Sequence, residues 1–177
     1  MTAGPRARRV LVLGGARSGK SGYAEALIEA APPPYVYVAT AQALDAEMAD
    51  RIALHRSRRD TRWRTHDHPF DVADLLAELP PDAPVLVDCL TLWLTNHLLA
   101  DHDLEAEQER LVSALLGRGG LTVLVANEVG LGIVPDNALA RRFRDAAGRL
   151  NQAVAAASDR VVFMVAGLPL VVKEDAP

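Results

Sequence analysis

Five short segments of the chain carry apolar residues at consecutive positions and are rich in β-branched side chains. They are residues 10–13 (VLVL), 35–40 (YVYVAT), 85–88 (VLVD), 121–127 (LTVLVAN) and 160–167 (RVVFMVAG). Strands that are buried on both faces have this pattern, because helices cover each face of a parallel sheet. The pattern therefore predicts a parallel sheet enclosed between layers of helices.

Segments with helical periodicity lie between these strands. The pattern predicts helices over 20–31, 44–59, 71–79 and 136–157, and one broken helix or two over 90–100 and 103–117. The last helix has Asp136, after Pro135, as its expected N-cap. Its apolar residues form one stripe, made of Leu139, Phe143, Ala146, Leu150 and Val154.

Composition indicates one globular domain of a soluble protein. The chain has 177 residues, 50% of them hydrophobic and 24% charged, and a net charge of -4, which does not suggest a nucleic-acid partner. The single cysteine, Cys89, excludes an internal disulfide and does not imply an oxidising compartment. No apolar run approaches the length of a membrane span. We therefore expect a cytoplasmic protein without a membrane partner. We expect a disordered lead-in over 1–9, one catalytic domain over 10–172 and a frayed tail over 173–177.

A glycine-rich segment follows the first predicted strand and fits the pattern G-x-x-x-x-G-K-S. Its residues are Gly14, Gly15, Ala16, Arg17, Ser18, Gly19, Lys20 and Ser21. Glycines allow backbone N–H groups to approach phosphate oxygens, and the following helix N-terminus favours an anion. Lys20 would reach the β- and γ-phosphates and Ser21 would bind Mg²⁺. A plain glycine-rich turn is the alternative, but the position between strand and helix favours a phosphate loop. The fold class is therefore α/β, a three-layer P-loop NTPase fold with a mostly parallel sheet flanked by helices, of the RecA-like type.

Acidic and amide side chains end two further strands. Asp88 closes the VLVD strand and is the candidate second Mg²⁺ ligand, although it could also cap the next helix. Asn127 and Glu128 follow the LTVLVAN strand. Because ligands of open α/β sheets bind at the carboxyl ends of the strands, these residues are candidates for the same pocket.

His55 differs from the other histidines because it lies on or beside the apolar stripe of the helix predicted over 44–59. Basic residues surround it on the C-terminal side, namely Arg56, Arg58, Arg59 and Arg62. A neutral imidazole among cations is suited to attack a phosphate ester, since the cations screen the incoming charge. From composition alone, a structural histidine beside a solvated basic helix end is favoured about two to one. His66 and His68 suggest a metal site only weakly, because no ligand set with a known spacing accompanies them.

Several motifs together resemble one family over about residues 10–171. They are GGARSGKS, YVATAQALDAEMADRIALHR, WRT, VDCLTLWLTN, ANEVGLGIVPDNALARRFRDAAGRLNQ and VAGLPL. The chain is similar to the bifunctional adenosylcobinamide kinase and adenosylcobinamide-phosphate guanylyltransferase of cobalamin biosynthesis. The phosphate loop is shared by many families, whereas the NEVGLGIVP block with RFRD and GRLNQ is much more specific.

The resemblance implies two reactions and a set of residues. Family members phosphorylate adenosylcobinamide with ATP or GTP, take GMP from GTP onto a histidine with release of pyrophosphate, and pass the GMP to adenosylcobinamide phosphate, which gives adenosylcobinamide-GDP. The histidine corresponds to His55, which reverses the odds from composition. Residues matching nucleotide contacts of the family are Thr40, Ala41, Gln42, Arg56, Ser57, Arg58, Arg59, Asp67 and Asp88. Asp67 stands where glutamate is the more frequent residue of the family.

The resemblance also implies a homotrimer with Mg²⁺ as cofactor. Two other hypotheses stay open from the residues themselves. One is a monofunctional P-loop kinase for a small molecule, in which His55 is structural. The other is a regulatory or assembly ATPase module of the RecA type.

Overall fold

The computed structural model describes residues 8–42, 57 and 59–175, and these form one α/β unit. Its strands, in chain order, are β1 (Arg9–Gly14), β2 (Tyr35–Ala39), β3 (Trp63–Asp67), β4 (Val85–Asp88), β5 (Thr122–Asn127), β6 (Arg160–Val165) and β7 (Leu168–Glu174). Its helices are α1 (Lys20–Glu29), α2 (Val72–Glu78), α3 (Leu90–Leu99), α4 (Leu104–Leu116) and α5 (Ala138–Ala157). All five strands predicted from the sequence are present.

The strands form one sheet in the order β3-β2-β4-β5-β1-β6-β7. Every neighbouring pair is parallel except β6 and β7, which are antiparallel. The strand that leads into the phosphate loop, β1, is thus separated from β4 by β5. This mostly parallel sheet between helices confirms the predicted P-loop NTPase fold.

Two apolar cores, one on each face of the sheet, make the fold a three-layer structure. On one face, Leu11, Val38 and Leu124 of the sheet pack with side chains of α2, α3, α4 and α5. On the other, Val12 and Val125 pack with Ala24 and Ile28 of α1. Alternate residues of β1 therefore contact different layers, which explains why the strand is apolar at consecutive positions.

The last helix begins later than predicted. Asn137 is the N-cap, and its Oδ1 accepts a hydrogen bond from Ala140 N at 2.7 Å, so the expectation of Asp136 as the cap was wrong. Asp and Asn are both good N-cap residues, and the hydrogen bond from Ala140 N assigns the role to Asn137. Leu139 is also exposed, whereas Ala146, Leu150 and Val154 of the predicted stripe are buried.

Two strands were missed, and both lie at an edge of the sheet. β3 has polar, exposed residues after Trp63, and β7 exposes apolar and polar residues alike. β7 continues to Glu174, so the expected frayed tail over 173–177 begins too early. Lys173 holds this strand end, because its Nζ donates to the carbonyl oxygens of Ala155, Ala156 and Ser158 at 3.2, 3.3 and 2.6 Å.

The expected lead-in over 1–9 is also too long, since Arg9 is the first residue of β1. The guanidinium of Arg9 pairs with Asp159 at 2.6 Å, and the Arg8 and Arg9 N–H groups donate to the other oxygen of the same carboxylate. Residues 1–7 of the lead-in lie outside the described residues. So does most of the helix predicted over 44–59; Arg59 itself is not helical. The broken helix over 90–117 is two helices, α3 and α4. Within the described ranges, no helix is both long and apolar enough to cross a bilayer.

Candidate nucleotide site

The predicted site residues that the structure describes gather at the carboxyl edge of the sheet. In the strand register, Asp67 of β3 pairs with Ala39 of β2, and Ala39 also pairs with Asp88 of β4. Gly14, at the end of β1, pairs with Asn127 of β5. Residues far apart in sequence therefore share one edge, as the parallel topology predicts.

The phosphate loop is a tight backbone turn that requires glycine at its start. A Cβ added at Gly14 would stand 2.6 Å from Ser18 Oγ and 2.8 Å from the Met164 carbonyl oxygen, too close for any other residue. Gly15, Ala16 and Arg17 are exposed, whereas Ser18 is buried. The Ser18 hydroxyl is a buried polar atom with no hydrogen-bond partner in the described structure. Such an atom fits a loop that closes around a ligand.

The turn between β6 and β7 supports the phosphate loop from one side. Gly167 N donates to Ser18 O at 3.1 Å. Gly19, the N-cap of α1, has φ of 92° and lies close to Gly167, because its Cβ would be 3.4 Å from Gly167 Cα. The residues of this turn, within the VAGLPL motif, predict no such role, because a hydrogen bond between segments 149 residues apart has no local signal in the sequence.

Lys20 is almost buried within this loop. Its Nζ donates to Gly15 O at 2.6 Å, so the ammonium points back over the loop. Burial lowers the pKa of Lys20, while Cys89 and Asp88 oppose the shift. A phosphate bound in the loop would restore the lost solvation of the cation. The buried lysine, the buried Ser18 hydroxyl and the close glycine turn thus fit a nucleotide phosphate chain.

Asp88 closes β4 and lies beside an unexpected partner, Tyr37 of β2. The Tyr37 hydroxyl donates to Asp88 Oδ2 at 3.0 Å. The guanidinium of Arg59 stacks on the Tyr37 ring with its Cζ 3.5 Å from the centroid. Arg59 Nε and Nη1 are buried without a hydrogen-bond partner in the described structure. The structure therefore connects the predicted Mg²⁺ carboxylate to one of the predicted nucleotide-binding arginines through Tyr37.

Thr40 is fully buried and connects the backbone that follows β2 to the backbone that follows β4. Its Oγ1 donates to Cys89 O at 2.7 Å and accepts from Cys89 N at 2.9 Å. Asn96 Nδ2 donates to Thr40 O at 2.9 Å. Burial raises the pKa of the Cys89 thiol to about 11, so this thiol stays neutral near pH 7. Thr40 thus positions the backbone after β2, where Ala41 and Gln42 follow half-buried.

Glu128 is joined to the phosphate loop by a backbone hydrogen bond, and Asn127 pairs with Gly14 in the strand register. Glu128 N donates to Gly14 O at 3.1 Å, and Asn127 N donates to Thr91 Oγ1 at 2.7 Å. The Glu128 side chain accepts from Gly130 N at 2.5 Å, so it caps its own turn. Both residues lie beside the loop, as expected.

The structure does not describe all the predicted residues. His55, Arg56 and Arg58 lie outside the described residues. Ser57 and Asp67 are exposed, Asp67 at the end of β3, and Ser21 is half-buried in the first turn of α1.

Among the described residues, His66, His68, His97 and His102 form no metal site. His97 is buried, with Nδ1 at 2.9 Å from His102 Nδ1 and Nε2 at 3.2 Å from Phe70 O. Burial lowers the pKa of His97. Over the residues that the structure covers, no cluster of three or more His, Cys, Asp or Glu side chains could hold a metal ion. A Mg²⁺ ion here would therefore need a hydroxyl, phosphate oxygens and water beside Asp88, which are ligands that this ion prefers.

Comparison with known proteins finds relatives over nearly the whole chain. The family model described as cobinamide kinase / cobinamide phosphate guanyltransferase matches residues 10–172. The bifunctional adenosylcobalamin biosynthesis protein CobP of Pseudomonas aeruginosa PAO1 is 51% identical over 168 residues, which cover 93% of this chain and 97% of that protein. The corresponding CobU proteins of Salmonella typhimurium LT2 and Escherichia coli K12 are 44% and 43% identical over 180 residues, covering 93% of this chain and 99% of each relative.

Solved structures share the fold. A protein of Pyrococcus horikoshii OT3 superimposes with a TM-score of 0.52 at 11% identity, covering 94% of this chain and 86% of that one. An ATPase from the type III secretion system of pathogenic bacteria gives 0.52 at 12% identity, covering 88% of this chain and 50% of that one. At such low identity these matches concern the fold alone.

Proposed function

The chain belongs to the cobinamide kinase / cobinamide phosphate guanyltransferase family, and we propose that both transfer reactions use the single nucleotide site at the carboxyl edge of the sheet. The protein is a bifunctional transferase of adenosylcobalamin biosynthesis. It phosphorylates adenosylcobinamide and transfers GMP from GTP to adenosylcobinamide phosphate, which gives adenosylcobinamide-GDP and pyrophosphate. The observation that carries the proposal is the phosphate loop, whose buried Lys20 and Ser18 hydroxyl lie on the same sheet edge as Asp88.

The kinase reaction is a phosphoryl transfer for which positioning and charge neutralisation supply most of the catalysis. The hydroxyl at the end of the aminopropanol arm of adenosylcobinamide attacks the γ-phosphorus of ATP or GTP. The bond between the γ-phosphorus and the leaving nucleoside diphosphate breaks, and the hydroxyl proton leaves to solvent or a base. Lys20 releases Gly15 O and binds the β- and γ-phosphates, where it stabilises the charge on the leaving oxygen. Backbone N–H groups from Gly15 to Gly19 hold the remaining phosphate oxygens.

The guanylyl transfer takes place at the α-phosphorus and uses His55 as nucleophile. A ring nitrogen forms a P–N bond, the P–O bond to the β-phosphate breaks, and pyrophosphate leaves. A phosphate oxygen of adenosylcobinamide phosphate then attacks the same phosphorus, and the P–N bond breaks with its electron pair returning to the ring. The ring must be neutral to attack, so adduct formation falls at acidic pH. A rate of GMP-enzyme formation that stays flat from neutral pH to about 5 would contradict this role.

Mg²⁺ is the cofactor that fits these oxygen ligands. Ser21 and Asp88 would hold it, and it would neutralise charge on the phosphates that they face. Thr40, Ala41, Gln42, Arg56, Ser57, Arg58, Arg59 and Asp67 complete the proposed nucleotide contacts. Of these, Arg59 has direct support, because two of its buried nitrogens still need acceptors.

A homotrimer belongs to the same proposal, together with a cytoplasmic location in which both nucleotides are available. The edge strand β7 exposes a row of apolar side chains, with Leu168 70%, Leu170 58% and Val172 65% exposed. An apolar strand at an open sheet edge is suited to contact another subunit. Sedimentation equilibrium of the wild type and of Leu170→Glu tests this: we expect three chains per particle for the first and one for the second.

Two labelled forms of GTP test the proposed function. With adenosylcobinamide present, the γ-label should appear on the corrinoid. With the corrinoid absent, the α-label should appear on the protein, and adding adenosylcobinamide phosphate should move it to the corrinoid. A plain kinase would transfer only the γ-label, and hydrolysis without any dependence on corrinoid would instead favour a regulatory ATPase.

A further inference from the structure

Tyr37 contacts two proposed functional groups at once, although nothing in the sequence pattern marked it. It lies on β2 and is 4% exposed. Its hydroxyl donates to Asp88 Oδ2 at 3.0 Å, and its ring carries the Arg59 guanidinium at 3.5 Å. One side chain therefore touches the carboxylate on the Mg²⁺ side and the arginine that follows the segment containing His55.

We propose that Tyr37 is a positioning residue that orients Asp88 for Mg²⁺ through its hydroxyl and Arg59 for the nucleotide through its ring. This inference rests on the proposed function, because it assigns Asp88 and Arg59 their partners. Tyr37 itself need not touch the nucleotide.

The hydroxyl acts on Asp88 through its hydrogen bond, because the Tyr37 O–H donates to one carboxylate oxygen, Oδ2, at 3.0 Å. With Oδ2 bound to this donor, the orientation of the carboxylate is fixed and Oδ1 is the oxygen left for a metal ion or its water.

The ring holds Arg59 by a cation–π contact and shields it from solvent. Arg59 Nε and Nη1 are buried without a hydrogen-bond partner in the described part of the chain. An arginine held by its face, with buried donors still unused, is prepared to bind an anion edge-on. A nucleotide phosphate is the anion that this sheet edge accommodates.

The chain supplies a matched control two residues earlier on the same strand. Tyr35 is equally buried, its hydroxyl donates to Glu29 O and Ala31 O at 3.3 and 3.1 Å, and Arg62 lies 5.5 Å from its ring centroid. Tyr35 thus has a phenol hydrogen bond and a neighbouring arginine but no site carboxylate. A purely structural role would make Tyr35→Phe and Tyr37→Phe behave alike.

The experiment measures GTP affinity by titration calorimetry, in EDTA and across a Mg²⁺ series, together with kinase kcat and KM. Tyr37→Phe keeps the ring and removes the donor. We expect GTP affinity in EDTA within about twofold of wild type, a Mg²⁺ requirement raised about tenfold, and a lower kcat with little change in KM. Tyr35→Phe should match wild type in all of these quantities.

Tyr37→Leu removes the ring as well, and it should also weaken GTP binding in EDTA about fivefold. Because this variant could fold poorly, Arg59→Ala breaks the same contact from the other side. The loss in Tyr37→Leu/Arg59→Ala should be smaller than the sum of the two single losses, since both remove one contact.

Two results would overturn the inference. One is a Mg²⁺ requirement of Tyr37→Phe equal to that of Tyr35→Phe. The other is a GTP affinity in EDTA of both Tyr37→Leu and Arg59→Ala equal to that of the wild type. Failure of the proposed function is a separate result, namely a wild-type protein that transfers neither label. The Mg²⁺ dependence of GTP binding still tests Tyr37 in that case, because it needs no turnover.

Discussion

The two sides of the nucleotide site are built in different ways. On the phosphate-loop side, backbone groups make the structure: Gly14 packs against the Met164 carbonyl, and Gly167 N bonds Ser18 O. On the β2–β4 side, side chains make it, with Tyr37 bonding Asp88 and Thr40 bonding both polar backbone groups of Cys89. The loop side should therefore be intolerant of an added atom at Gly14. The β2–β4 side should instead be sensitive to loss of the polar groups of its side chains.

This difference suits the two reactions. A loop made of backbone N–H groups holds a phosphate chain in either reaction, whichever phosphorus is attacked. Side chains that orient a metal ligand and an arginine can favour one phosphorus over another. We therefore expect changes on the loop side to affect both activities and changes on the β2–β4 side to affect them unequally.

The largest effect on kinase activity should come from Lys20 on the loop side, whose Nζ donates to Gly15 O. Lys20→Ala should lower kinase kcat about 10²- to 10³-fold, because the leaving oxygen loses its cation. The control is Lys173→Ala, the only other lysine of the chain. Lys173 bonds three carbonyl oxygens far from the site, so its loss should lower the free energy of unfolding by about 1–2 kcal/mol and leave kcat unchanged. Equal kcat losses in both variants would mean that Lys20 acts only on stability.

The next largest effect should come from adding a methyl group at Gly14, on the phosphate-loop side. Gly14→Ala should weaken GTP binding at least about tenfold and slow both reactions, because the new methyl group would overlap the Met164 carbonyl. In Gly22→Ala, the methyl group on α1 meets no atom within 4 Å, so this control should bind GTP normally and gain about 0.5–1 kcal/mol in stability. Normal GTP affinity in Gly14→Ala would contradict the close packing of the loop.

A third substitution, at Thr40, tests whether side-chain hydrogen bonds stabilise the β2–β4 side of the site. Thr40→Val keeps the shape of the side chain but leaves Cys89 N and O without their partner, which should cost about 1–3 kcal/mol of stability, measured by denaturant unfolding. Thr95→Val is the control. It loses only a hydrogen bond to Thr91 O within α3, so we expect a smaller loss. If Thr40→Val and Thr95→Val lose equal free energy of unfolding, the hydrogen bonds of Thr40 to Cys89 do not contribute specially to the connection between β2 and β4.

The smallest expected effect is on the pH dependence of stability, and it comes from the Arg9–Asp159 pair at the start of β1, opposite the nucleotide site. Burial tends to raise the pKa of Asp159, but hydrogen bonds from Arg9 and from the Arg8 and Arg9 backbone outweigh it and hold the pKa below its usual range. The folded carboxyl therefore stabilises the protein fully above the unfolded value of about 3.9, and the stabilisation is lost as pH falls below it. Asp159→Asn should remove part of the decline in Tm between about pH 5 and 3. An unchanged pH profile would show that this pair contributes nothing.

The same contrast explains what the sequence could predict. The buried strands were predicted because both faces of each must be apolar, and the phosphate loop because its residues are consecutive. β3 was missed because, after Trp63, its side chains face solvent and are polar, which resembles a loop. β7 was missed because it is an edge strand without alternation.

The side-chain half of the site was predicted only in part. Asp88 was identified because it ends an apolar strand. Tyr37 was not, because its position on β2 makes it indistinguishable from a core residue. Its contact with Arg59 joins positions 22 residues apart, and only the folded sheet shows that the hydroxyl reaches Asp88.

The most direct test of the central claim, one nucleotide site that also guanylylates the protein at His55, is to locate the GMP on the chain. The wild type and His55→Ala are incubated with GTP and Mg²⁺, digested at alkaline pH because a P–N bond is acid-labile, and mapped by mass spectrometry. We predict one GMP per chain on the wild-type peptide that contains His55, and none in His55→Ala despite GTP binding within about twofold of wild type. GMP on another residue, or an adduct that persists in His55→Ala, would contradict the account.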